Sequence, residues 1–222
     1  MPKVGVLLSG CGFLDGAEIH ESVLTLLALD QRGATAVCCA PNANQAAVVD
    51  HETRRPTSET RNMLKEAARI ARGAIRDVAA VKAAELDALI LPGGFGAAKN
   101  LCSFADQGAN CTVHPDVDRL VSDCLAQRKP VGAICIAPAL LARIAGRRGT
   151  TVKVTIGNDP GTAGAIVAMG GRHENQPVTD IAVDADYKVV TTPAYMLGPG
   201  PAAVFEGIRK LVDQVLAMIP AR

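Results

Sequence analysis

The sequence predicts an α/β fold of the flavodoxin-like, doubly wound type, with a mostly parallel sheet, helices on both faces and a small hairpin. Predicted strands alternate with predicted helices along the chain, which is typical of a parallel sheet. Several of the strands are continuous apolar runs, and such strands are covered by helices on both sides. No repeat, low-complexity tract or linker divides the chain, so we expect a single domain over residues 1–222.

The first part of the chain reads as a strand, a helix and a second strand. The strands are predicted at residues 3–9 (KVGVLLS) and 35–40 (TAVCCA). Between them we expect a helix from about Ala17 to Arg32, ended by Gly33. Its apolar residues share one face, which is the pattern of a helix packed on a core; they are Ile19, Val23, Leu26 and Leu27.

The middle of the chain reads as a loop, a helix, a strand and a helix. Residues 41–58 are polar and contain proline, which predicts a loop with a small hairpin around VVDH. Thr57 or Ser58 is expected to cap a helix that runs to about Arg72. The segment ELDALILPGG, residues 85–94, predicts a buried strand, and residues 114–130 predict an amphipathic helix.

The last part of the chain begins with the strand VGAI, residues 131–134, which leads through Cys135 into a helix. TVKVTI, residues 151–156, predicts a further strand. Residues 177–193 predict a hairpin that turns at Asp184 to Asp186. The final helix is expected from about Pro201 to Ile219.

Composition argues against several classes of protein. The 23 basic and 22 acidic residues leave a net charge of +1, and aromatic residues are 3%, so neither nucleic acid nor an anionic membrane is expected as a partner. The apolar run at the start is too short to cross a membrane, and a cytoplasmic location is expected. The seven cysteines show no CxxC pair and no zinc-like histidine spacing, so free thiols and no metal are predicted.

Unusual residues follow three of the predicted strands, where ligands of a doubly wound sheet bind. The first strand leads into GCGFLDG, but the third glycine of this loop is Gly16, one position too late for a dinucleotide fingerprint. The third predicted strand leads into PGGFG, whose amides could approach a ligand closely or could form an ordinary tight turn. The strand VGAI leads directly into Cys135.

Cys135 is either a small apolar residue or a nucleophile at a sharp strand-to-helix turn. At a helix start, the dipole and the amides are expected to lower the pKa of the thiol. Glu18 and Glu21 are one turn apart on the first helix, which begins at the same edge of the sheet. They could cap that helix, or a carboxyl could hydrogen-bond the sulfur and shuttle protons.

Five sequence blocks together resemble the PfpI-type branch of the class I glutamine amidotransferase-like superfamily, closest to the enhancing lycopene biosynthesis proteins. The blocks cover nearly the whole chain and are GCGFLDGAEIHESVLTLLALD, ETRNMLKEAARIARGAIRD, LPGGFGAAKNL, GAICIAPALLA and VVTTPAYML. The resemblance implies Cys135 as nucleophile, with Glu21 as its partner acid and Glu18 as the preceding acid. It also implies a substrate and oxyanion site, for which we select Gly93, Gly94, Ile136 and Cys11. A structural role is the alternative for Cys11.

One departure from the family pattern concerns histidine. Many relatives carry a histidine directly after the cysteine or at the strand equivalent to VKVTIGND, where this chain has Ile136, and Gly157 and Asn158. His20 lies between the two glutamates in sequence but is expected to point elsewhere on the helix. His114 and His173 cannot be placed from the sequence.

The activity that the resemblance implies is that of a glyoxalase without cofactor, metal or glutathione. It would convert a small 2-oxoaldehyde, glyoxal or methylglyoxal, to glycolate or lactate through a Cys135 hemithioacetal, with deglycase activity as a further expectation. The alternatives are a redox or electrophile sensor with a reactive Cys135, and a cysteine hydrolase or amidase, which would need a histidine base. A homodimer is expected from relatives, with the hairpin of residues 177–193 as an apolar edge.

Overall fold

The computed structural model describes residues 1–220 and is built around one seven-stranded sheet. With strands numbered in chain order, the order across the sheet is β10 (Ala182–Asp184), β11 (Val189–Thr192), β7 (Val131–Ile134), β6 (Ala88–Leu91), β1 (Lys3–Leu7), β2 (Thr35–Ala40) and β5 (Ile75–Asp77). All neighbouring pairs are parallel except β10 and β11. The predicted fold class is confirmed, including the hairpin near the end of the chain.

Eight α-helices are present among residues 1–220: α1 (Ile19–Gln31), α2 (Met63–Ile70), α3 (Phe95–Lys99), α4 (Phe104–Gln107), α5 (Pro115–Ala126), α6 (Ala137–Arg147), α7 (Pro160–Ala168) and α8 (Pro201–Ala217). Two further strand pairs lie outside the large sheet. They are the antiparallel pair β3 (Val49–Asp50) and β4 (Arg55–Pro56), and the parallel pair β8 (Lys153–Val154) and β9 (Arg172–His173). The small hairpin predicted around VVDH is therefore present.

Alternate side chains of the central strands feed two hydrophobic cores, one on each face of the sheet. Ala88 and Ile90 of β6 belong to the core that contains α1 and α8. Leu89 and Leu91 belong to the core that contains α5 and α6. This alternation follows from the strand period of two residues, and burial on both faces explains why the strands are continuously apolar in sequence.

Helix α1 does not bury the face that its apolar pattern predicts. Ile19, Val23 and Leu27 are 42, 47 and 41% exposed. The buried face contains Glu21, Ser22 and Thr25, followed by Ala28 and Leu29. This helix packs closely on α8 and places a polar group at the sheet edge, so its inner face is partly polar.

Two other local predictions are wrong for identifiable reasons. Residues 151–156 form only the two-residue strand β8, because side chains replace strand pairing: Lys153 N–H donates to Asp184 Oδ2 (2.7 Å) and Thr155 N–H to Thr191 Oγ1 (2.8 Å). Helix α2 is capped by Asn62, whose side chain accepts from Lys65 N–H, and not by Thr57 or Ser58. Thr57 instead bonds back to Val48 beside the small hairpin.

Candidate active site

Cys135 lies at the sharp turn between β7 and α6. Its φ of 62° is in the left-handed region, which costs an ordinary residue about 1–3 kcal/mol. The turn is held by the Cys135 N–H, which donates to Thr192 O at the end of the neighbouring strand β11 (3.0 Å). The side chain is 7% exposed. Backbone strain at a strand-to-helix turn is a feature of the nucleophile elbow, but an elbow exposes its nucleophile, whereas Cys135 is nearly buried.

Two backbone amides face the sulfur of Cys135. The N–H groups of Gly94 and Ile136 hydrogen-bond it and lower its pKa. Burial raises the pKa more strongly, and the charge of Glu21 raises it further, so the pKa of Cys135 lies well above its usual value. The expectation that the helix start lowers this pKa is wrong, because desolvation outweighs the amides.

Glu21 is the group that the fold brings against the thiol. Its carboxyl is fully buried, and it hydrogen-bonds Cys135. One carboxyl oxygen, Oε2, accepts from Gly93 N–H at 2.9 Å, and the other, Oε1, accepts from Tyr195 N–H at 3.2 Å. Burial, together with the charge of Glu18, raises the pKa of Glu21 from 4.5 to about 8. At neutral pH the carboxyl therefore holds its proton beside the thiol.

Gly93 fits between the side chains of Cys135 and Glu21 because it has no Cβ. A Cβ at this position would lie 2.5 Å from Cys135 Cβ and 2.7 Å from Glu21 Oε2. Its amide is committed to Glu21, whereas the amide of Gly94 faces the sulfur. The two glycines selected from the sequence therefore differ in role: the Gly93 amide binds the carboxyl of Glu21, and the Gly94 amide faces the thiol of Cys135.

Glu18 is the N-cap of α1 and does not replace Glu21. Its Oε2 accepts from the backbone N–H of Glu21 at 2.7 Å, which orients the first turn of the helix. Its charge reaches the site by raising the pKa of Glu21. Glu18 thus caps the helix and tunes the buried acid.

Cys11 lies on the outer side of α1. It lines an apolar groove of about 760 Å³ together with residues of α1 and the α2 region: Ile19, Val23, Leu26, Leu27, Asp30, Arg69, Ile70 and Arg72. Burial raises the pKa of Cys11. The structure therefore places Cys11 in this groove, while Glu21 and Cys135 meet on the inner side of the helix.

Tyr195, which sequence reasoning did not select, contacts the acid through its backbone N–H and contacts His20 through its side chain. Tyr195 follows β11 in a single 3₁₀ turn, and its hydroxyl lies 2.7 Å from His20 Nδ1. His20 points away from Glu21 as expected, because it is exposed whereas Glu21 is buried. Its contact with Tyr195 could not be predicted from a local pattern, since Tyr195 lies far along the chain.

The other two histidines that sequence reasoning could not place take different positions. His173 accepts the N–H of Ile156 at 3.2 Å, and His114 is the N-cap residue of α5. Within residues 1–220, no group of three or more histidine, cysteine or acidic side chains is arranged to hold a metal ion. Over the same residues, none of the helices combines the length and apolar character needed to span a membrane.

The raised pKa of Glu21 predicts that stability falls as pH rises. The folded protein holds the Glu21 proton up to about pH 8, while the unfolded chain releases it near 4.5. Between these values the folded state binds more protons, so the free energy of unfolding falls by up to roughly 1.4 kcal/mol per pH unit. Urea unfolding across this window should show the slope in the wild type and a flatter profile in Glu21→Gln. Equal slopes in the two proteins would contradict a buried, protonated Glu21.

No family model matches the sequence. Two mammalian proteins are similar over 97% of this chain. The human glutamine amidotransferase-like class 1 domain-containing protein 3, mitochondrial, is 43% identical over 226 residues, which cover 83% of it. The rat ES1 protein homolog, mitochondrial, is 42% identical over 226 residues, which cover 84% of it.

The names of these relatives correct the predicted compartment. The human and rat proteins, and the zebrafish ES1 protein, are all described as mitochondrial. They point to a mitochondrial location, and the expectation of a cytoplasmic protein is wrong. Free thiols and a balanced charge are compatible with either compartment, so the composition could not distinguish them.

Solved structures extend the comparison to the fold. An isoprenoid biosynthesis protein with an amidotransferase-like domain from Ehrlichia chaffeensis superposes with a TM-score of 0.93 and 36% identity, over 99% of this chain and 100% of that one. Drosophila melanogaster DJ-1beta has a TM-score of 0.54 at 18% identity, over 98% of this chain and 95% of that one, and shares the fold. Together with the human relative, the Ehrlichia structure shows that the chain belongs to the glutamine amidotransferase-like class 1 family.

Proposed function

We propose that this protein is a glyoxalase that needs neither glutathione nor a cofactor and converts glyoxal to glycolate, or methylglyoxal to lactate. The observation that carries the proposal is a fully buried carboxyl, Glu21, hydrogen-bonded to the thiol of Cys135. Isomerisation of a 2-oxoaldehyde needs a nucleophile for the aldehyde and one group that both takes and returns a proton. This pair supplies both from adjacent side chains.

The first step is addition of the sulfur to the aldehyde. The thiol proton of Cys135 passes to the carboxylate of Glu21, and the thiolate forms a bond to the aldehyde carbon, C1. The electron pair of the C=O bond moves to its oxygen, which then takes the proton back from Glu21. The amides of Gly94 and Ile136, which already face the sulfur, would stabilise the oxyanion beside it.

The second step moves hydrogen from C1 to C2. The carboxylate of Glu21 removes the proton from C1 of the hemithioacetal, which gives an enediolate, and returns it to C2. The proton of the C1 hydroxyl moves to the C2 oxygen, so that C1 becomes a thioester carbonyl and C2 an alcohol. A pKa of about 8 suits a carboxyl that must accept and donate within one turnover.

Hydrolysis completes the reaction. Glu21 takes a proton from water as the water oxygen adds to the thioester carbonyl. The C–S bond then breaks, and the sulfur leaves as a thiol that takes this proton from Glu21. The overall change adds one water to the oxoaldehyde and involves no external oxidant or reductant. Because Cys135 is only 7% exposed, the site favours small aldehydes, and deglycase activity on bulkier adducts is expected to be weaker.

The direct test follows glycolate formation from glyoxal in purified wild type, Cys135→Ala and Cys38→Ala. Cys135→Ala should lower turnover by at least about 10³-fold, because the nucleophile is lost. Cys38 is a buried thiol in β2, so Cys38→Ala controls for loss of a cysteine and should keep the activity. Equal glycolate formation by wild type and Cys135→Ala would refute the proposal.

The sensor alternative has weaker support. Oxidation selects thiols that are exposed and readily ionised, whereas Cys135 is buried and burial raises its pKa. Mass spectrometry after mild peroxide treatment separates the two functions: a sensor oxidises cleanly at Cys135 and makes negligible glycolate. The proposed substrate is a small 2-oxoaldehyde. That the protein forms a homodimer stays a prediction.

A further inference from the structure

Tyr195 and His20 form a second polar pair next to the acid. The Tyr195 hydroxyl lies 2.7 Å from His20 Nδ1, and the two ring centroids are 5.7 Å apart. The backbone N–H of Tyr195 donates to Glu21 Oε1 at 3.2 Å. The backbone of Tyr195 is therefore tied to Glu21, the group that handles the carbon-bound proton in the proposed reaction.

The backbone that carries Tyr195 is fixed by the same strands that fix Cys135. Thr192, the last residue of β11, lies opposite Ile134 in the sheet register and accepts the N–H of Cys135. Between Thr192 and Tyr195, Ala194 has a φ of 43°, a left-handed conformation that is unfavourable for alanine. Two adjacent strand ends thus each hold a strained residue, one at the nucleophile and one directly before the tyrosine.

We propose that the Tyr195 hydroxyl, oriented by His20, is a second acid–base group that moves a proton between the two substrate oxygens; the proposal rests on the function proposed above. Tyr195 would be a catalytic residue because its hydroxyl contacts the substrate. His20 would be a positioning residue because it acts through Tyr195.

The isomerisation needs this second group because it moves two protons. Glu21 carries one from C1 to C2. As the C2 oxygen becomes an enediolate, the Tyr195 hydroxyl donates its proton to that oxygen. Tyr195 then takes the proton of the C1 hydroxyl as the C1 carbonyl forms, so it ends the cycle unchanged and no oxidant or reductant is needed.

The geometry suits this role. When His20 carries its proton on Nδ1, the imidazole donates to the Tyr195 oxygen and leaves the hydroxyl proton free for the substrate. Burial and the charges of Glu18 and Glu21 raise the pKa of Tyr195, so the hydroxyl stays protonated between turnovers.

The experiment compares Tyr195→Phe with wild type and with Tyr187→Phe, a matched control at the other tyrosine of the chain. Tyr195→Phe should lower kcat for glyoxal by about 10²-fold, the range of a lost acid–base group. Because addition to Cys135 comes earlier, this variant should accumulate the glyoxal adduct, seen as slower alkylation of Cys135 by iodoacetamide when glyoxal is present. Without glyoxal, the alkylation of Cys135 should match wild type.

His20 is tested by rescue. His20→Ala should lower kcat, and His20→Asn, whose amide nitrogen lies near the position of Nδ1, should recover part of it. Wild-type kcat in Tyr195→Phe, or loss of adduct formation together with turnover, would overturn the relay. If wild type itself makes neither adduct nor glycolate, both the proposed function and the relay are refuted. Normal wild-type turnover with a fully active Tyr195→Phe refutes the relay alone.

Discussion

Gly93→Ala is expected to be both the most destabilising and one of the most inactivating single changes at the site. The added Cβ would lie 2.5 Å from Cys135 Cβ, 2.7 Å from Glu21 Oε2 and 2.9 Å from Ile134 O. The last of these is a backbone atom of the buried strand β7 and cannot move aside cheaply. Overpacking of this kind costs about 1–3 kcal/mol, and a displacement of about 1 Å between reacting groups costs about 10²-fold in rate.

A matched control for this change is Gly164→Ala. Gly164 is exposed in α7, and a Cβ there would meet nothing within 4 Å. Since alanine favours helix over glycine, the control should be stabilised by about 0.5–1 kcal/mol and keep its activity. Urea unfolding and glycolate formation measure both effects. Wild-type stability and turnover in Gly93→Ala would mean that the close contacts at the site are not as described.

Glu21→Gln is expected to remove the proton exchange that defines the site. In wild type, the alkylation rate of Cys135 should rise through about pH 8, where the buried carboxyl gives up its proton and can accept the one on the thiol. Glutamine cannot accept that proton, so the step near this pH should be absent. Turnover of glyoxal should fall by about 10²–10⁴-fold, because the general acid–base group is lost.

Peptide mass spectrometry after iodoacetamide treatment measures the alkylation of Cys135 separately from that of the other six cysteines.

Two further variants test whether the charge of Glu18 sets the pH of the step. Glu18→Gln removes a charge that raises the pKa of Glu21, so the step should move to lower pH. Asp30→Asn alters an exposed carboxyl on the same helix and should leave the profile unchanged. A step at the same pH in Glu21→Gln would show that another group controls the thiol.

The sequence was sufficient for the fold and for placing Cys135 at the edge of the sheet where the strands end. Continuous apolar strands alternating with helices have one stable arrangement, a parallel sheet covered on both faces. A thiol directly after such a strand must lie at the carboxyl edge of that sheet, where the glycines of residues 93 and 94 also lie. These inferences need only local patterns and the direction of the chain.

The choice between Glu18 and Glu21 could not be made from spacing. One helical turn separates them, so a helical pattern puts both on one side of α1. In the structure, α1 begins at Ile19, which leaves Glu18 outside as the cap and turns Glu21 inward against Cys135. The apolar stripe of α1 also led to a wrong prediction of the buried face. That face contains polar residues, among them Glu21 at the candidate site.

By itself, the sequence determined the α/β sheet, the turn that carries Cys135 and the helix that brings acids to it, because each depends on periodicity and chain direction. The family resemblance pointed to Glu21, and only the tertiary structure decided that Glu18 caps the helix, that the Tyr195 amide bonds Glu21, and the direction of the pKa shifts. Those properties depend on burial and on contacts between residues far apart in the chain. Desolvation in particular is set by all the surrounding atoms, so no local pattern around Cys135 could predict that it would outweigh the helix amides.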